Sequence, residues 1–496
     1  MTPAAYPCSI VWRMTTTSAA RAPRTRRRPS APAPYLSPAE RAERGKSARA
    51  SVPRESHALF DPPSDRPDPI GLLEQQAESR VPELVPVRYG RMMASPFAYY
   101  RGAAMPMASD LAATPVSGLR VQACGDAHLA NFGAFASPER NLIFSLNDFD
   151  ETLPGPWEWD VKRLAASLEV AARGNGFSRA ERRAIVRSAV ASYRHAMRGF
   201  APLSNLDVWY AHMDLADEEA RLKSRMTARQ RKRFGEGLAK ARTRDSVQAF
   251  SKLARIEDGA ARIIADPPLI VPYTDLLPGK ADRANLQEAV HHLIGAYGRT
   301  LESSRRDLLA QYRVSDIARK VVGVGSVGTR CWIVLMRGRD AADPLFLQVK
   351  EAEKSVLSGF AGASRFNCDG ERVVVGQRLM QAVSDIFLGW ERIDGMDGKR
   401  RDFYVRQLRD WKFSMDIDRM IPSGLRMYGE RCGWTLARAH ARSGDRIAIA
   451  SYLGRSDAFE RAITEFSEAY ADQNERDHDA LVRAVRMGRI TAIQDL

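Results

Sequence analysis

The feature that most constrains this chain is the order of two groups of polar residues, each set at the ends of short apolar runs. Early on, the runs 119–123 and 142–146 end in Gly125-Asp126-Ala127-His128-Leu129-Ala130-Asn131 and in Asn147-Asp148-Phe149-Asp150. Much later, Gly323-Val324-Gly325-Ser326-Val327-Gly328 joins the apolar runs 317–324 and 331–336, and a third run, 345–349, leads into Lys350. Short β-branched and aromatic runs bounded by Gly, Asp and Asn read as strands. The later three form a β-meander. The spacing predicts helices over 159–173, from Ser178 onward, across most of 214–265, over 283–312 and 371–383, and through most of 425–496. Ser178 with Glu181 three residues on is a capping-box start. The expected class is α+β.

The early loops carry the residue types that phosphoryl transfer uses. One carboxylate orients the attacking hydroxyl, while another carboxylate and a carboxamide hold Mg²⁺, which neutralises phosphate charge. Asp126 is the candidate base, with His128 as an orienting partner. Asn131 and Asp148 are the candidate metal ligands, and Asp150 either joins them or is structural. Gly-Asp and Asn-Asp are also ordinary turn residues at strand ends, so neither motif alone decides the matter.

The glycine loop leads from strand to strand. A dinucleotide-binding glycine motif leads into a helix, so this context suits a loop that covers phosphates with its backbone. Gly323, Gly325, Ser326 and Gly328 are therefore candidate nucleotide contacts. Lys350, in the third strand, is the candidate partner of the nucleotide phosphates. Glu371 opens the next predicted helix and is the candidate ion-pair partner of Lys350, with Glu351 and Glu353 as rivals. Arg163 is placed to reach either phosphate or an acid. Cys124 reads as a small buried residue.

Together, 125–131 and Asp148-Phe149 resemble the catalytic and metal loops of the protein-kinase-like superfamily, closest to its aminoglycoside and choline kinase branch. Asp160 resembles the later helix-opening Asp of that branch, and 433–441 resembles the helix that precedes its catalytic loop. The glycine loop and lysine follow the catalytic loop here instead of preceding it, which implies a circularly permuted two-lobe fold. Motifs and order over about 80–490 are similar to the domain-of-unknown-function 2252 family, which is mostly bacterial.

That resemblance implies a catalytic, C-lobe-like part with a helical insertion at 61–312. It implies a β-rich, N-lobe-like part at 313–410 and a helical remainder at 411–496. It also implies ATP and Mg²⁺ as cofactors and an ATP-dependent phosphotransferase acting on an unknown small-molecule hydroxyl, its acceptor specificity carried by 175–310. Nucleotidyl (AMP) transfer on the same fold and a nucleotide-binding pseudokinase remain open alternatives.

Charge bears on the last alternative, a nucleic-acid-binding protein. Residues 1–55 carry ten Arg and one Lys against three Glu, a net +8 out of +15 for the chain. The basic signal is thus mainly a tail, and residues 1–60 are expected to be a disordered basic extension whose removal leaves the fold intact. Nucleic acid is a possible partner only through that tail. Residues 221–244 are basic too, but they mix acids and bases at helical spacing, as a solvated helix face does. The five cysteines are scattered and form no CxxC pair, which argues against a disulfide framework or structural zinc and for a reducing cytoplasm. No apolar run reaches membrane-spanning length.

Overall fold

A computed structural model describes residues 35–494 apart from 223, 225, 258, 259, 277, 278, 341, 395–398 and 409. Most of the basic tail, 1–34, lies outside the described residues. The part of the expected disordered tail that is described is structured from residue 38 on. Ser37 caps the helix Pro38–Ser51 by accepting from the Glu40 N–H, and the Glu40 carboxylate accepts from the Ser37 N–H in return. The helix packs on the helix Arg446–Leu453 so closely that a Cβ on Gly45 would sit 2.1 Å from the Ala448 carbonyl oxygen. Arg41 bonds Asp445 at 2.9 Å, Arg54 donates to the Leu453 carbonyl at 2.7 Å, and buried His57 meets the Tyr452 hydroxyl at 2.7 Å. Charge that reads as solubilising in the sequence is used here to anchor the segment to the C-terminal helices.

The later strands form one antiparallel sheet of six, in the order Gly389–Asp394, Arg400–Gln407, Pro344–Ala352, Cys331–Arg337, Arg313–Lys320 and Ile270–Pro272. Cys331 pairs with Lys350 and Trp332 with Val349, so the meander sets the lysine opposite the strand that leaves the glycine loop. Alternate residues of Cys331–Arg337 face opposite sides. Trp332, Val334 and Met336 pack with Ala289, Val290 and Leu293 of the helix Lys280–Gly298. Ile333 and Leu335 pack with Ala249 and Leu253 of the helix Ser246–Leu253.

This corrects the expected boundary at 313. A sheet that is apolar on both faces must be covered on both, and residues from about 246 onward supply the covers and the edge strand. Within the stretch expected to be helical, Ala254–Glu257 and Ala260–Ile263 pair as antiparallel strands instead.

The other half is a helical body around Trp157–Gly174, Arg179–Phe200, Pro422–Ser443 and Ala458–Arg486. The Ser178–Glu181 capping box starts the second of these. Gly433 lets Pro422–Ser443 press against Arg179–Phe200, where a Cβ would lie 2.2 Å from the Ala189 carbonyl oxygen. Trp157 stacks on Tyr193 with centroids 5.6 Å apart. The helix Pro422–Ser443 ends beside the strand Arg120–Ala123, where the Gln122 N–H donates to Ser443 Oγ at 3.3 Å. No helix among the described residues is long and apolar enough to cross a membrane.

Candidate active site

The loop that follows Arg120–Ala123 turns at Gly125, whose φ of +82° and close approach to the Glu151 carbonyl (2.4 Å from an added Cβ) admit no side chain. One buried carboxylate holds the turn. Asp160 accepts from the Cys124 and Gly125 N–H groups at 2.6 and 2.9 Å and from His440 Nε2 at 3.0 Å. Cys124 itself is fully buried.

Beyond the turn, Arg163 donates to Asp126 Oδ1 from Nε and Nη2 at 2.9 and 2.7 Å, so this arginine meets an acid. His128 Nε2 lies 3.7 Å from Asp126 Oδ2. Burial pushes the imidazole down to about 4, so His128 is neutral at pH 7 and cannot be the charged partner of Asp126.

Asn131 is buried and donates from Nδ2 to the carbonyls of Asp126 and Asp148, both at 3.0 Å. It therefore ties the two loops together. Its Oδ1 is buried without a hydrogen-bond partner, and so is Asp148 Oδ1. Burial raises the Asp148 carboxyl, but Lys350, Arg406 and Lys412 more than offset this and hold it at about 2.

Lys350 is fully buried, with Nζ 3.6 Å from Asp148 Oδ2 and in direct contact with Asp150 Oδ2. Burial disfavours its charge, yet the two carboxylates hold its pKa well above the usual lysine range. Asp150 also accepts from the Tyr404 hydroxyl at 2.8 Å and from Ser326 Oγ at 3.3 Å. One carboxylate thus joins the loop 147–150, the glycine loop, the lysine strand and the neighbouring strand.

The expected pairing of Lys350 with Glu371 is not formed. Among the described residues Lys350 bridges to Asp148 and Asp150 and not to Glu371. Glu371 sits in the first turn of Asp369–Met380, partly exposed between the buried Gly370 and Arg372. Arg372 is the residue of that turn that points inward, donating to the Thr152 and Glu353 carbonyls at 2.8 and 2.7 Å. Glu371 does not line the cleft described below. Of the rivals, Glu351 is engaged by Arg330 at 3.1 Å and Arg401 at 3.4 Å. Glu353 lines the cleft.

The glycine loop runs from strand to strand as expected, with φ of +64° at Gly323 and +91° at Gly328. Residues far upstream hold it. The Val81 N–H donates to the Gly328 carbonyl at 2.7 Å, Arg91 donates to the Gly323 carbonyl at 2.8 Å, and Arg80 bonds the Val327 carbonyl.

A cleft of about 970 Å³ opens between these parts. Asp126, His128, Asn131, Asp148 and Asp150 line it together with Gly323, Gly325 and Ser326. Residues within 72–80 and 101–105 line it as well, and none of the described residues of 175–310 does. Parts of that stretch, expected to carry acceptor specificity, cover the sheet instead. Glu151 also lines the cleft and was not singled out from sequence. Burial pushes its carboxyl up to about 7, only partly offset by the Val356 N–H and Arg372.

Among the described residues no group of three or more His, Cys, Asp or Glu side chains is arranged to hold a metal ion. The donors that fit Mg²⁺ are mixed: the unsatisfied Oδ1 atoms of Asn131 and Asp148, both hard oxygens. A cation that keeps several of its waters needs few protein ligands. The four described cysteines are free thiols.

A family model described as an uncharacterized protein conserved in bacteria (DUF2252) matches residues 80–484. No curated protein and no solved structure matches the chain.

Proposed function

The chain belongs to the DUF2252 family of bacterial proteins, and from its site we propose that it is an ATP- and Mg²⁺-dependent phosphotransferase of circularly permuted, protein-kinase-like architecture. The proposed acceptor is a small-molecule hydroxyl. One observation carries this reading. Lys350 and Asp150, 200 residues apart, meet beside two buried, unsatisfied oxygens on Asn131 and Asp148. Lysine, carboxylate and carboxamide from two distant segments are the set that holds a nucleotide's phosphates for transfer. The contact between Ser443 and Gln122 supports the permuted order, since it joins the end of one helix to the strand before the Asp126 loop. A cleft of about 970 Å³ has room for a nucleotide and a small acceptor together. Free cysteines are consistent with a reducing cytoplasm.

In the proposed reaction the glycine loop covers the phosphates and Lys350 neutralises them. Asn131 and Asp148 would hold Mg²⁺, which supplies further charge neutralisation at the phosphates. Asp126, oriented by Arg163, takes the proton of the acceptor hydroxyl. As the acceptor O–P bond forms, the bond from the terminal phosphorus to the bridging oxygen breaks, and ADP leaves with that electron pair.

The test is a thermal-shift titration of ATP with and without Mg²⁺ on wild type, Lys350→Ala and Asp148→Ala. Ligand at a hundred times its dissociation constant adds about 2.7 kcal/mol of stability. A Mg²⁺-dependent shift in wild type that both variants lose is the expected result. No shift in wild type would overturn the reading.

A further inference from the structure

The cations that line the cleft are Arg80, Arg101, Lys354, Arg406 and Lys412. Arg80 bonds the Val327 carbonyl, and Arg406 bonds Gln348 and the Asn147 carbonyl. Lys354 and Lys412 are exposed. Arg101 is different. It lies in the last turn of the helix Pro96–Gly102 and lines the cleft, and its side chain makes no hydrogen bond or ion pair among the described residues. Its Nε is buried without a partner. Burial disfavours its charge, and the charges of Asp126 and Asp418 partly offset this. The tip of the glycine loop touches the same residue, since a Cβ on Gly325 would lie 3.3 Å from the Arg101 carbonyl oxygen. Arg101 therefore stands beside the tip of the glycine loop and lines the same cleft as the candidate base Asp126.

We propose that Arg101 is a phosphate-binding residue that contacts the terminal phosphoryl group of the nucleotide, supplied from the N-terminal helices outside the Lys350 and Asp148 constellation. The assignment rests on the phosphotransferase reading and adds a residue to it. A guanidinium left in a partly buried position without an acceptor loses hydration and gains nothing until an anion arrives. Its planar fork suits the paired oxygens of a phosphoryl group, and a fixed cation there stabilises charge that spreads onto those oxygens as the β–γ bond loosens. Asp126 limits the cost of holding that charge before the nucleotide binds.

The experiment is a binding series on wild type, Arg101→Met and Arg101→Lys, with Mg·ATP, Mg·ADP and inorganic phosphate as probes, read by thermal shift and calorimetry. A contact to the terminal phosphate weakens ATP binding in Arg101→Met by about tenfold or more, while ADP binding stays within about twofold. Arg101→Lys, which keeps the charge and loses the fork, falls between. Should the anion be an acceptor's phosphate instead, both nucleotides bind Arg101→Met as they bind wild type, while inorganic phosphate added to the ADP complex stabilises only wild type. That outcome overturns the assignment to the nucleotide. Equal loss of ATP and ADP, or no change with any probe, overturns the proposal as a whole. If wild type binds no nucleotide, the phosphotransferase reading falls. Stabilisation by inorganic phosphate, lost in Arg101→Met, would then keep an anion site at Arg101, and its absence would remove that as well. Unchanged melting temperatures of the ligand-free variants show that both are folded.

Discussion

His440 donates from Nε2 to Asp160 Oδ2 at 3.0 Å, across 280 residues of chain. A carboxylate can only accept, so Nε2 carries a proton, and Nδ1 meets the Tyr193 hydroxyl at 2.9 Å. The result is a buried relay from Tyr193 through His440 and Asp160 to the N–H groups of Cys124 and Gly125, which shape the loop carrying Asp126. The last long helices thereby set the geometry of a loop near the start of the fold.

Asp160→Asn keeps the shape and loses the chemistry. The amide offers one acceptor atom where two are used, and its NH₂ then faces a donor. Leaving a buried donor unpaired at a charged site costs about 3 kcal/mol. Thermal melts of the variant are expected several degrees below wild type. An unchanged melting temperature would show that the carboxylate is not what holds the turn.

Arg163 holds Asp126 by two hydrogen bonds from one guanidinium. Arg163→Lys keeps the charge but loses the fork, so it should lower kcat while leaving the KM for ATP nearly unchanged. Asp126→Ala should abolish transfer yet bind Mg·ATP much as wild type does. Both are read by turnover of ATP labelled in the γ position, with α-labelled ATP alongside to detect nucleotidyl transfer. Unaltered turnover in Asp126→Ala removes Asp126 as the base.

Lys162 is buried on the helix Trp157–Gly174, with Nζ 4.8 Å from the centre of the Phe466 ring and no hydrogen-bond partner. Burial lowers its pKa to about 7, against an unfolded value near 10.5, with Glu158 offsetting part of the shift. Between those values the unfolded chain binds more protons than the folded one, so folding loses stability as pH falls through the window and no more below it. Lys162→Met removes this dependence. The melting temperature of the variant relative to wild type should therefore rise from pH 10 to pH 7 and then level off. A difference independent of pH would contradict the burial of a free amine.

Gly45→Ala sets two effects against each other. Alanine favours the helix Pro38–Ser51 by about 1 kcal/mol, but its methyl would lie 2.1 Å from the Ala448 carbonyl oxygen. Overpacking against backbone costs about 1–3 kcal/mol, so the net effect is expected to be a lower melting temperature. A rise would mean that residues 38–51 are not docked on Arg446–Leu453, and would restore the expectation of a dispensable tail.

The glycine turn, the lysine in the third strand of a meander, and the Ser178 cap were legible because each is local. Gly125, Gly323 and Gly328 stand at positive φ, where a side chain is strained. Alternating β-branched residues make strands, and a serine three residues before a glutamate caps a helix. Asn131 and Asp148 were legible as a pair because their spacing along the chain also reflects two adjacent loops.

What the sequence alone determined is therefore the set of elements and the chemistry each loop end offers. Tertiary structure alone decided which distant groups meet. Lys350 chose Asp150 over Glu371 because the helix Asp369–Met380 turns Arg372 inward and leaves Glu371 toward solvent. Residues within 72–80 and 101–105 came to line the cleft, while parts of 246–309 cover the sheet. Residues 38–58 became part of the fold because the C-terminal helices present carbonyls and a Tyr452 hydroxyl that their basic side chains and His57 can reach. Such choices turn on burial and on satisfying polar groups across hundreds of residues, and no local pattern of side chains records them.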